Sequence, residues 1–508
     1  MTSDPSVTMP AATTAERAGG AAGAARARVA WPPLVGLAVL KVAVTMVFAG
    51  RYGWHRDELY YLASARHPAL GYVDYPPVAP MIARLVQVVA PGSLVALRLT
   101  SVLAGALVVV LAALIARELG GGRRAQVLAA LTVVISPMFL AGNFIFETVS
   151  FDQVAWAVLL WVVVRVLAGG DRRLWLLAGL VLGIGLETKY TIAGLAVSLA
   201  AGLLLTPARR HLATPWPWLG AALAAALLLP NLWWQAGHDW DSVAYTLSHR
   251  GHTDGPIAYW LQQLFLVQPL LLPVAAAGGV WLWRSGTFRA LAWAAILVEL
   301  LFFAVGGKSY YPAPVYPLLY AAGAVWLERS AGSRLLRWAW VAAAAAVTLL
   351  LIPIELPVLP ADVMARTNLL SAQAELAEMY GWPDLAHQVG AAYAALPPSD
   401  RRGTMLLAAN YGEAGALDLY GPGLGLPPVV SPHLTYYWWA PARISPDVVI
   451  AVGYQRQDLE PLFADVTQVA TVSNSYGVAN QEAGGAILVC RSPRRPLWQA
   501  WPSLKALD

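Results

Sequence analysis

From Pro33 to about Ile354 the chain runs as apolar stretches of roughly span length separated by short polar breaks, and this pattern limits the fold more than any other feature. A stretch of about 20 apolar residues is long enough to cross about 30 Å of hydrocarbon as a helix. Backbone groups in lipid must be satisfied within the segment, so a many-helix membrane protein follows. Composition agrees: 58% of residues are hydrophobic and only 12% are charged, against about 25% in ordinary soluble chains. The same numbers exclude a disordered chain, a collagen and a coiled coil. A single cysteine, Cys490, excludes a disulfide scaffold. The formal charge of +5 comes largely from arginines clustered between apolar runs, which reads as membrane topology and excludes nucleic acid as a partner.

Eleven spans are expected, near 33–50, 94–116, 126–142, 149–168, 174–187, 190–206, 216–234, 257–283, 288–306, 312–328 and 338–355. Residues 1–30, rich in Ala, Gly and Thr, read as a disordered cytoplasmic tail rather than a signal peptide. With the amino terminus inside, every arginine-rich loop is cytoplasmic: Arg117, Arg123 and Arg124; Arg165, Arg172 and Arg173; Arg209 and Arg210; Arg284 and Arg289; Arg329, Arg334 and Arg337. The opposite side receives Asp57, Glu58, Asp74, Glu147, Asp152, Glu187, Lys189 and Lys308. The expected organisation is a transmembrane domain over 31–355 with its first outer loop at 51–93, followed by an extracytoplasmic α/β domain over 356–508. Helices over Leu369–Met379 and Leu385–Leu396 and strands at Thr404–Ala408, Asp447–Val452 and Ala486–Cys490 are predicted there. The expected location is the plasma membrane, with the bilayer itself a partner.

The first outer loop carries the densest chemistry. Asp57 and Glu58 follow the first span directly and precede Tyr60 and Tyr61, and a carboxylate held partly desolvated at the membrane surface can act as a general base on a hydroxyl. The expectation is that Glu58 and partial burial together raise the Asp57 pKa, with Glu58 serving position and local charge. Lys189 and Lys308, two of the few lysines, stand beside tyrosines at span ends; with Arg56 and Tyr311 they are candidates to hold a phosphate. Asp74, Tyr75, His249 and Arg250 are candidate substrate-loop residues. The His238–Asp254 loop has ligand-type residues without zinc-motif spacing, so no metal site is assigned, and a divalent metal stays open.

Four runs together, Arg56-Asp57-Glu58-Leu59-Tyr60-Tyr61, Gly71-Tyr72-Val73-Asp74-Tyr75-Pro76-Pro77, Glu187-Thr188-Lys189-Tyr190-Thr191 and Lys308-Ser309-Tyr310-Tyr311-Pro312, resemble the bacterial branch of the dolichyl-phosphate-mannose-protein mannosyltransferase family. These are GT-C glycosyltransferases, similar also to the lipid A aminoarabinose transferases; Asn410-Tyr411-Gly412-Glu413-Ala414 in the tail fits the same branch. The resemblance implies inverting sugar transfer from a polyprenyl-monophosphate donor to a protein, glycolipid or cell-wall glycan on the outer face. It places Asp57 at the position of the catalytic base and Asp152 at that of a second acid. Where the aminoarabinose branch has acid-Lys-Pro, this chain has Asp74-Tyr75-Pro76, so one phosphate contact is absent. The competing class, a transporter or flippase of lipid-linked material, should carry ionisable residues at mid-bilayer and repeated halves. Here the acids gather at the outer rim, with Lys41 and Glu299 as ionisable exceptions within spans, and no repeat is visible.

Overall fold

The computed structural model describes residues 27–249, 255–330 and 333–507. Each expected span coincides with helix. Trp31–Met46, Leu94–Glu118, Thr148–Leu167, Leu174–Leu186, Ile192–Leu204, Pro215–Ala236, Arg289–Ala304, Tyr316–Arg329 and Arg334–Glu355 match one span each. The other two are broken. The 126–142 run divides into Arg123–Val134 and Pro137–Ala141 at Ser136, where the following proline removes a donor. The 257–283 run becomes Gly255–Val267 and Leu272–Arg284, bent by 99°. Gln268 at the bend has φ +73° and precedes Pro269, a position that disfavours helix. Its side-chain amide donates to Ala344 O and Thr348 Oγ1, both at 2.8 Å, and so ties the bend to the last long helix.

Length separates these helices. Four are long and apolar enough to cross a membrane alone, within Leu94–Glu118, Thr148–Leu167, Pro215–Ala236 and Arg334–Glu355, and the bent pair makes a fifth if it is one span. Leu174–Leu186 and Ile192–Leu204 have 13 residues each, about 20 Å of helix. The expected eleven full crossings are therefore not matched by eleven full-length helices. Packing is close where glycines meet backbone: a Cβ on Gly179 would lie 2.1 Å from Gly220 O, so these two helices touch along their main chains.

The first outer loop forms two helices, Arg56–Arg66 and Val78–Val89. The second turns Ala79 and Ala83 inward and leaves Met81, Leu85, Val88 and Val89 exposed, the form of a helix lying in the membrane interface.

Beyond Glu355 a five-stranded mixed sheet has the order Val429–Val430, Thr404–Ala408, Val448–Val452, Ala486–Pro493, Phe463–Thr471. The first three strands are parallel and the last two pair antiparallel. The three predicted strands lie in this sheet. The predicted Leu369–Met379 helix is instead two short turns, Leu369–Ala372 and Ala374–Ala377, and the second predicted helix is Trp382–Ala394. Alternation along the strands builds two cores. Leu407, Val449, Ala451, Leu488 and Cys490 pack against Leu459, Phe463 and Trp501. Leu406, Ile450, Val452, Ile487 and Val489 share a core with Leu59, Leu62, Ala63 and Tyr75 of the first outer loop. One sheet face is thus completed by the membrane part, which an apolar count within 356–508 does not reveal.

Candidate active site

The Arg56–Arg66 helix begins with a reciprocal cap: Glu58 accepts the His55 N–H at 2.9 Å while the His55 ring receives the Asp57 N–H at 3.2 Å. Consecutive helical residues point about 100° apart, and here that rotation separates the two acids. Glu58 turns inward. Its oxygens accept Arg98 Nε and an Arg98 terminal nitrogen, both at 2.8 Å, and the Phe146 N–H at 2.9 Å; both side chains are fully buried. With every lone-pair direction in use, Glu58 has no capacity to act as a base. Of the expected roles, position and local charge, it keeps the first: its charge is spent on Arg98, and it locks the first outer loop to the segment that carries Glu147.

Asp57 turns outward, its side chain 31% exposed. The Tyr411 hydroxyl donates to Asp57 Oδ1 at 2.6 Å. Tyr411 opens the Tyr411–Tyr420 helix, capped by Asn410 and Glu413, and that helix packs closely on Arg56–Arg66; a Cβ on Gly415 would lie 2.8 Å from Leu59 Cβ. Facing Asp57 is Glu147, which precedes the Thr148–Leu167 helix. Ligand atoms of His55, Asp57 and Glu147 all lie within 4.8 Å of one another. His55 Nε2 is 3.1 Å from Glu375 Oε2.

Charge is divided unevenly across this cluster. Burial favours protonation of Glu147, the Asp57 charge adds to it, and its pKa rises to about 8. Burial pushes Asp57 the same way, but His55, Arg56 and the Tyr411 hydrogen bond outweigh it and hold Asp57 below the usual carboxylate range. The sequence expectation of a raised Asp57 pKa is therefore reversed, and the raised carboxyl is its neighbour. Burial would lower the His55 pKa, yet the hydrogen bond to Glu375 and the Asp57, Glu375 and Glu147 charges raise it to about 9. A protonated Nδ1 cannot also accept the Asp57 N–H, so cap and proton exclude each other, and the surrounding carboxylates favour the proton. One imidazole nitrogen and two carboxylates are also a donor set that suits a divalent cation, which would displace the shared protons.

Lys189 and Lys308 converge on one tyrosine pair. Lys189 Nζ is 5.3 Å from the Tyr310 ring centre and 5.4 Å from that of Tyr311, and Lys308 Nζ is 6.0 Å from Tyr310. Among the described residues neither lysine forms an ion pair. The Lys189 charge opposes the rise of the Glu147 pKa, and the Lys308 charge acts on Glu375, so both cations border the carboxylate cluster. Asp152 accepts Trp156 Nε1 at 3.0 Å and Thr191 Oγ1 at 2.7 Å, bonds that fix the 187–191 break bearing Lys189.

Other expected residues are placed differently. Arg56 lies 4.7 Å over the Tyr411 ring, meets Gln481 and stands 3.9 Å from Glu378, so its guanidinium is committed to the outer domain rather than to a phosphate. Tyr75 is buried, stacked on Tyr61 at 4.6 Å with its hydroxyl 2.7 Å from Ser64 Oγ; it packs the loop instead of facing substrate. Asp74 accepts from the Tyr60 hydroxyl at 3.0 Å, and burial raises its pKa to about 7. His249 is exposed, its Nδ1 2.9 Å from Tyr245 O, and Arg250 lies outside the described residues. Four members of the cluster, His55, Glu147, Glu375 and Tyr411, fall outside the sequence expectation. Only Glu147, an acid just before a span, and Tyr411, in the Asn-Tyr-Gly-Glu-Ala run, carry a sequence signal.

Residues 74–234 match the model of the family described as dolichyl-phosphate-mannose-protein mannosyltransferase. No curated protein sequence matches the chain. Solved structures match over nearly its whole length. ArnT from Cupriavidus metallidurans in the apo state has a TM-score of 0.60 at 15% identity, covering 90% of this chain and 97% of that one. The chain has the ArnT fold. The same ArnT bound to undecaprenyl phosphate gives a TM-score of 0.57 at 14% identity, with 90% and 97% covered. The arabinofuranosyltransferase AftD from Mycobacteria gives 0.51 at 15% identity, covering 91% of this chain and 40% of that one. The family match contains the 187–191 run and part of the 71–77 run, while the 56–61 and 308–312 runs lie outside it.

Proposed function

We propose that this chain is an integral-membrane inverting glycosyltransferase that moves a sugar from a polyprenyl monophosphate to a protein, glycolipid or cell-wall glycan acceptor on the outer face. The observation that carries this reading is the pairing of an ionised, partly exposed Asp57 with two lysines above Tyr310 and Tyr311 that form no ion pair among the described residues. In the reaction an acceptor hydroxyl loses its proton to Asp57 as its oxygen bonds to the anomeric carbon. The bond from that carbon to the phosphate oxygen breaks on the opposite side, and the lysines stabilise the charge that collects on the departing phosphate. The ArnT structure that holds undecaprenyl phosphate on the same fold supports a lipid-phosphate donor. Glu147, neutral below about pH 8, keeps a second negative charge away from the base and the phosphate.

The test is to incubate purified full-length protein with radiolabelled polyprenyl-phosphate sugars and membranes, then identify the labelled product. Transfer from at least one donor, lost in Asp57→Asn, is expected. Movement of intact lipid-linked sugar between leaflets without bond cleavage would establish the flippase reading instead.

A further inference from the structure

At the end of the helical bundle opposite Asp57, a cavity of about 360 Å³ is lined by Arg123, Arg124, Val127, Leu128, Arg337 and Trp338, with Glu328 at its edge. The Leu94–Glu118 helix fixes that separation: Arg98 near its start pairs with Glu58 beside the site, and 25 residues of helix, about 37 Å, lead to the loop before Arg123. Glu328 does not neutralise the arginines. Its carboxylate accepts the Gly122 N–H at 2.6 Å and the Ala125 N–H at 3.2 Å, capping the Arg123–Val134 helix. Arg123 and Arg124 are exposed and have no hydrogen bond or ion pair among the described residues. The remaining wall is apolar and opens toward lipid, with Trp338 48% exposed and Leu335 and Leu336 still more so.

We propose that this cavity binds one anionic phospholipid, its phosphodiester between Arg123, Arg124 and Arg337 and an acyl chain along Val127, Leu128 and Trp338. Arg123 and Arg124, without partners among the described residues, and Arg337, which also donates to Leu327 O at 2.6 Å, give the positive excess that a phosphodiester requires, in a fork geometry suited to phosphate oxygens. A basic cavity between helices at the arginine-rich face matches lipid headgroup recognition, and the apolar wall distinguishes it from a site for a free anion. The volume lies within the roughly 300–1,000 Å³ usual for small-molecule sites.

The test reconstitutes full-length protein in equimolar phosphatidylglycerol and phosphatidylcholine and measures retained lipid by native mass spectrometry. Phosphatidylglycerol should be retained about tenfold over phosphatidylcholine, and the R123Q/R124Q double variant should bring the two to parity. R209Q/R210Q, which removes the same charge from the Pro207–His211 turn, should leave the preference unchanged. Leu128→Trp, which fills the apolar wall with all charges intact, should lower retention. Parity in the unaltered protein, an equal loss in R209Q/R210Q, full retention in Leu128→Trp, or displacement of the lipid by millimolar inorganic phosphate would each overturn the proposal.

Discussion

Asp57 and Glu58 are adjacent in the chain and opposite in chemistry. Glu58 is enclosed by an arginine and two backbone donors, whereas Asp57 is partly open and meets a tyrosine, a histidine and a second carboxyl. One turns its charge into architecture and the other keeps it available. In a helical first turn adjacency in sequence says little about shared role, because a rotation of about 100° assigns the neighbours to different environments.

Removing the enclosed acid should have the largest effect. Glu58→Ala leaves the Arg98 guanidinium buried without its partner, and a loss of about 3–5 kcal/mol is expected, visible as a large drop in melting temperature in detergent. A melt within about a degree of the parent would show that Glu58 is not structural. Asp57→Asn should do the reverse: folding stays normal while turnover falls roughly a hundredfold or more, read by steady-state transfer to acceptor at matched protein levels. Near-normal transfer in Asp57→Asn would overturn the base assignment and turn attention to Asp152.

Smaller effects sharpen the electrostatic side. Lys308→Ala should weaken use of donor about tenfold with acceptor parameters little changed; unchanged donor kinetics would leave Lys308 as a lysine reaching for headgroups. The smallest effect concerns pH. Glu147, at about 8 in the fold against an ordinary 4.5, binds a proton that the unfolded chain releases, so its contribution makes stability fall as pH rises from about 4.5 to 8. Above about pH 8 its ionisation sets a second negative charge beside Asp57 and the donor phosphate, and turnover should decline several-fold. Glu147→Gln should remove that limb from the pH profile of kcat/KM; an identical profile in the variant would assign the limb to another group.

What could be read in advance follows from how local each determinant is. Apolar runs mark helices because hydrophobic length is a local property, and the 404–408 strand was legible as a short apolar run bounded by turn residues. The bend at Gln268 was signalled by Pro269 but concealed by the apolar residues on either side of it. Asp57 stood out from its neighbours in the chain, while the burial of Glu58 depends on Arg98, 40 positions away, and on Phe146, 88 positions away. The lowered pKa of Asp57 owes most to His55 and Arg56, its neighbours in the chain, and the Tyr411 and Glu147 hydrogen bonds are added only by the tertiary fold.

The Tyr411 hydrogen bond to Asp57 also sets a clock. These residues are 354 positions apart, and at about 5–20 residues per second a ribosome needs roughly 20 to 70 s to travel from one to the other. Throughout that interval the first outer loop is already made, yet the sheet face that covers Leu59 and the hydroxyl that engages the base do not exist. A nascent chain halted before the outer sheet would therefore carry the helices of the membrane part and both lysines, while Asp57 would lack its Tyr411 hydrogen bond and Leu59 its cover.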